Sequence, residues 1–139
     1  MTQWLLLPAF AHVALVFFTG FRMGRARFSA ARAGQVKVKD IAVDNSRWPE
    51  DVKKIANSYQ NQFEVPMLYY ALLPLLLVTG LADWMAVALS WVFVASRTVH
   101  AFIHQGSNNV LPRFRMFVFG FFIVVAMWAW FGLRLYVIG

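Results

Sequence analysis

The chain contains no cysteine. Disulfides, thiolate metal sites and cysteine nucleophiles are therefore excluded. Charge is scarce too: Asp, Glu, Lys and Arg supply 14% of 139 residues, where an ordinary soluble domain carries about 25%. Alternating apolar and polar runs, which barrel strands require over about 10 positions, are missing. So are basic stretches interleaved with aromatics for stacking on bases, and nucleic acid is not an expected partner. No HExxH, glycine-rich phosphate loop or GxSxG occurs. His100 and His104 stand four apart without a third ligand, so no metal is expected.

Apolar residues, by contrast, make up 60% of the chain, and Phe alone occurs 14 times. A soluble domain of this size has too much surface to hide so much apolar area. Crossing a hydrocarbon core of about 30 Å takes about 20 apolar helical residues. Four stretches reach that length, at about 4–21, 63–81, 84–103 and 116–138. The expectation is an all-α integral membrane protein, a single domain folded as a four-helix bundle, with helices at about 3–32, 48–80, 83–105 and 111–138. No basic leader followed by a small-residue cleavage site precedes the first span, so that span is expected to be kept.

The hydrophilic stretches orient the bundle. Nine of the 13 Lys and Arg lie from Arg22 to Lys54, and Arg113 and Arg115 sit in the loop between spans three and four. The turn at Gly80–Asp83 holds no basic residue. Lys/Arg excess marks the cytoplasmic side, so both termini are expected outside the cytoplasm and the two longer loops inside. Anionic lipid headgroups are the natural counter-charge for the basic loop.

Polar side chains inside apolar spans need a reason. Asn57, Asn61 and Glu64 are spaced four and three apart on helix two, and Arg97, His100 and His104 three and four apart on helix three. Each set shares one helix face. The tight turn between spans two and three makes their cytoplasmic ends neighbours, so Glu64 and Arg97 are expected to pair or to flank one cavity. Arg113 and Arg115, and Arg22, Arg25 and Arg27, fall at the same depth. Together they describe a basic, hydrogen-bonding pocket suited to an anionic ligand that also carries an ammonium or amide group. The competing reading is plain architecture: arginines snorkelling to headgroups and a buried acid–base pair fixing helix packing. His12 reads as an interhelical hydrogen-bonding residue, Pro66 and Pro74 as bends, and Trp84, Trp91, Trp128 and Trp130 as interface anchors or lipid-facing bulk.

The order of three motifs resembles the MAPEG family, membrane-associated proteins of eicosanoid and glutathione metabolism, in its bacterial branch. They are NQFEVP from Asn61 to Pro66, RTVHAFIH from Arg97 to His104, and NVLPR from Asn109 to Arg113. The resemblance implies a homotrimer in a bacterial inner membrane. It also implies glutathione, as cosubstrate, bound between subunits near the cytoplasmic face, and a lipophilic substrate reached through the bilayer. Carried over, Arg25 would hold a carboxylate, Asn61 and Glu64 the γ-glutamyl backbone, and Arg97, His100 and His104 the pocket wall. Arg113 would stabilise the thiolate. The implied activity is a glutathione- or thiol-dependent transferase or peroxidase; the alternative is a non-catalytic trimeric module binding a lipid, an anionic metabolite or a partner membrane protein. The chain departs from the catalytic pattern at five places: Asn57 and Gln60 stand where arginines are carried, Phe117 and His104 where tyrosines are, and Phe114 where a hydroxyl residue is.

Overall fold

The computed structural model describes residues 1–138, and among these every regular element is helical. In chain order they are α1 (Thr2–Arg32), α2 (Val38–Ile41), a 3-10 turn (Asn45–Arg47), α3 (Glu50–Asn61), α4 (Val65–Val78), α5 (Trp84–Gln105) and α6 (Val110–Leu133), which ends in a π turn (Arg134–Ile138). Three helical stretches are long and apolar enough to cross a membrane: Thr2–Arg32, Trp84–Gln105 and Val110–Ile138.

Two helix ends are set by glycine. After α1, Gly34 adopts φ +72°, and the amides of Gly34 and Gln35 turn back to the carbonyls of Ala31 and Ala30. Gly80 repeats this after α4 at φ +70°, with Gly80 and Leu81 donating to Leu77 and Leu76. In both, the left-handed residue lets the chain satisfy carbonyls that a helix end leaves bare. The second of these turns folds α4 back toward α5.

Asp83 then starts α5. Its Oδ1 accepts from the Ala86 amide at 2.8 Å, the usual N-cap bond. Its Oδ2 also accepts from Trp130 Nε1 at 2.9 Å and Arg134 Nη1 at 2.7 Å, tying the turn to the end of α6. Trp128 donates its indole N–H to the Leu68 carbonyl at 3.1 Å. Trp84 and Trp91 stay exposed on the apolar surface, whereas Trp128 and Trp130 are half-buried cross-links rather than free anchors.

The expected unbroken helix across residues 48–80 is not formed. α3 stops at Asn61, and α4 begins at Val65 after Glu64, whose backbone sits at φ −86°, ψ −97°. Pro66 explains the break. It has no N–H to give to the Gln62 carbonyl, its ring crowds that carbonyl, and it disfavours a helical Val65. The amides of Gln62 and Phe63 instead take tighter bonds back to Tyr59 and Gln60, each at 3.0 Å. The start shifts from the expected position of about 48 to Glu50, with Pro49 just before the first turn of α3.

The main core draws on every long helix, with Leu5 of α1, Tyr69 and Leu72 of α4, Phe93 of α5 and Met127 of α6 almost fully enclosed. A smaller cluster of Ala30, Trp48 and Val52 clamps the connecting loop onto α1 and α3. It holds the loop end of the bundle in place, where the candidate site residues gather.

Candidate functional site

α5 presents its polar stripe inward. Arg97, His100 and His104 are 1%, 2% and 5% exposed, as enclosed as core leucines. Arg97 Nη2 donates to the Asn61 backbone carbonyl at 3.1 Å. That carbonyl ends α3, and the helix break has removed the amide that a continued helix would offer it. The Arg97 guanidinium therefore caps the broken helix. Of the two expectations for Glu64 and Arg97, the direct pair is not formed: Glu64, inside the break, is exposed, and no ion pair among the described residues includes either.

Several polar atoms around Arg97 are buried without a partner in the protomer: Arg97 Nε, Asn61 Oδ1, His100 Nδ1 and His104 Nδ1. Each such atom costs about 1–3 kcal/mol if it stays unpaired. Native proteins leave few of them, so four close together mark an unusually polar, tightly enclosed cluster. The two imidazoles meet edge-on, 5.6 Å between centroids, and His100 lies 6.2 Å from the Phe117 ring of α6.

The remaining candidates are arranged differently. Arg113, at the start of α6, is half-buried and donates to Asn108 Oδ1 at 2.5 Å, Asn108 itself standing at φ +51°. Arg25 is exposed on α1, where with Phe18, Phe21, Arg22 and Ser29 it lines a groove of about 530 Å³ closed by Ile55 of α3. One protomer thus gathers Asn61, Arg97, His100 and His104, places Phe117 of α6 against His100, and leaves Glu64 and Arg25 on its surface.

A polar chain that the sequence reading missed crosses the bundle beside this cluster. His12 of α1 bonds Tyr70 Oη at 2.7 Å through Nδ1 and Gln62 Oε1 at 3.1 Å through Nε2. Gln62 Nε2 donates to the Ser58 carbonyl at 3.3 Å, and Gln105 Nε2 to the Ser58 hydroxyl at 3.1 Å. His12 so makes the interhelical bonds expected of it, while Ser58, Gln62, Tyr70 and Gln105 were not singled out. Their signal was the four-residue spacing of Ser58 and Gln62 on the face that α1 covers.

The model of the MAPEG family matches residues 5–133. The chain belongs to the MAPEG family. No curated protein and no solved structure matches it. The matched stretch runs from the first turn of α1 to the last residue of α6. Membership and three apolar helices of spanning length make this MAPEG protein an integral membrane protein in contact with lipid. The family as a whole is associated with glutathione, and the unpartnered atoms test whether that fits. Arg97, Asn61 and the two imidazoles are of the donor and acceptor types that a peptide-like anion pairs with, and the protomer encloses them.

Proposed function

We propose that this MAPEG protein is a membrane-embedded glutathione- or thiol-dependent transferase or peroxidase acting on lipophilic electrophiles, working as a homotrimer. The observation that carries the reading is the buried set of Arg97, His100, His104 and Asn61 with atoms left unpartnered in a single protomer. A neighbouring subunit supplies the other wall, which gives Glu64 and Arg25 a role despite their exposure on one protomer. α4, led in by the end of α3, makes a fourth crossing. Its 14 residues reach about 21 Å alone. Both termini lie outside the cytoplasm of a bacterial inner membrane, with the basic loop inside.

Glutathione supplies the thiol in this reaction. Arg25, Asn61 and Glu64 hold its polar ends, and Arg97 with the two imidazoles fills the wall behind it. Arg113 favours negative charge on the sulfur, lowering the pKa of a thiol ordinarily near about 8.5. The bilayer concentrates the lipophilic partner beside that charge.

Titration calorimetry in detergent tests this. Glutathione binding is expected for the wild type and at least about tenfold weaker for Arg113→Ala, the loss of one charge-assisted bond. Equal heats in both proteins, or none in either, would remove the enzyme reading. Asn57 and Gln60, in place of arginines, favour the second reading, a non-catalytic trimeric module for a lipid, an anionic metabolite or a partner membrane protein. That module turns over no thiol and co-purifies with its ligand.

A further inference from the structure

A second cavity, of about 270 Å³, lies at the loop end of the bundle, between α1, the 3-10 turn and α3. Arg27, Lys53, Asn45, Ser46, Asn57 and Gln60 line it, and Trp48 forms one wall. It shares no residue with the Arg97 cluster, though Asn57 and Gln60 stand where catalytic relatives carry arginines; no carboxylate lines it, and Asp44 borders it through the Ser46 hydroxyl.

Its chemistry is set by how Arg27 is held. The guanidinium lies over the Trp48 ring, Cζ 5.3 Å from the centroid. Trp48 cannot yield, because it is buried against Ala30 and Val52. This cation–π contact holds the guanidinium in place and uses none of its N–H groups. Arg27 enters no ion pair among the described residues, and since its Nε is closed off, its terminal Nη groups are the donors left for the cavity. Lys53 touches one oxygen of the outward-facing Glu50 carboxylate at 2.5 Å. An ammonium has three donors, so two remain for the cavity.

We infer that this cavity binds a phosphate-type oxyanion, gripped by the Arg27 fork and neutralised further by Lys53. A carboxylate presents two oxygens in one plane and satisfies the fork alone. A tetrahedral oxyanion presents acceptors in several directions and reaches Arg27 from α1, Lys53, Asn57 and Gln60 from α3, and Asn45 from the turn, while the Ser46 amide and hydroxyl are taken by Asp44 Oδ1. Two sources carry that group here: a phospholipid headgroup at the membrane surface and a free phosphomonoester.

The test is calorimetric titration of inorganic phosphate into the protein in a maltoside detergent, which contains no phosphate. Arg27→Gln is expected to weaken binding at least about tenfold, and Arg32→Gln, on the exposed side of the same helix, by less than about twofold. Arg27→Lys, which keeps the charge and loses the fork, falls between them. Adding phosphatidic acid to the micelles separates the sources. If the lipid abolishes the phosphate heat, the headgroup is the occupant; if the heat persists, free phosphate is. Binding by Arg27→Gln or Arg27→Lys equal to wild type, or no phosphate heat in the wild type, overturns the inference. None of these outcomes depends on glutathione.

Discussion

An added Cβ at Gly120 would stand 2.8 Å from the Ser96 hydroxyl and 3.8 Å from Arg97 Cδ. The hydroxyl cannot simply swing aside, because it donates to the Phe93 carbonyl at 2.6 Å. Gly120 thus lets α6 close on α5 where Arg97 is held. Gly120→Ala is expected to cost about 1–3 kcal/mol from overpacking, read as a lower unfolding midpoint in detergent. Ser96→Ala in the same chain should recover most of that loss, since the Ser96 Cβ lies at an ordinary 3.8 Å. Equal losses in both backgrounds would show that another contact matters. At this scale Arg97, His100 and His104 were legible, because charged and imidazole side chains in an apolar helix have few bland explanations. Gln62 and Ser58 were not. Neutral polar residues near the end of a span look solvated until α1 and α5 are seen to cover them.

At the scale of elements, Asp83 concentrates three bonds on one carboxylate: the α5 cap, the Trp130 indole and the Arg134 guanidinium. Asp83→Ala loses the cap, worth about 0.5–2 kcal/mol. It also strands two half-buried donors, at about 1–3 kcal/mol each where water cannot reach. Asp83→Asn keeps an oxygen for the cap and loses chiefly the charge. Thermal melts followed by circular dichroism should place Asp83→Ala clearly below Asp83→Asn, and both below wild type; equal midpoints for the two variants would deny the cap its share. Three of the expected spans, α1, α5 and α6, were legible from length and apolar content. The break after Asn61 was underestimated. Pro66 was read as a bend, but it ends one helix and restarts another, and the Asn61 carbonyl left bare at the break becomes the partner of Arg97.

At the scale of the molecule, charge is unevenly divided. Basic residues crowd the loop end, while the Gly80–Asp83 end holds only Arg134, already paired with Asp83. The proposed orientation places the loop end in the cytoplasm. The natural chain has no cysteine, so single introduced cysteines report without background. In sealed inside-out vesicles an impermeant maleimide is expected to label Val43→Cys, which is 97% exposed, and to spare Ala82→Cys in the turn. In right-side-out vesicles the pattern should reverse. Labelling of both positions from one side would defeat the four-span arrangement.

What the sequence alone determined rests on counting along the chain. Runs of apolar residues require helices in lipid, and residues three and four apart share a helix face whatever surrounds it. Hence the helical class, the family and the grouping of Arg97, His100 and His104 were all available before any contact was known. Only the tertiary structure decided what those faces meet. Arg97 reaches a backbone carbonyl 36 positions away, His12 a glutamine 50 away, and Arg27 a tryptophan across the loop. Such pairings depend on the rotation and depth of one helix against another. Those are set by close approaches, such as Gly20 under Tyr59 and Gly120 under Ser96, and by side-chain packing between helices, which no local pattern records.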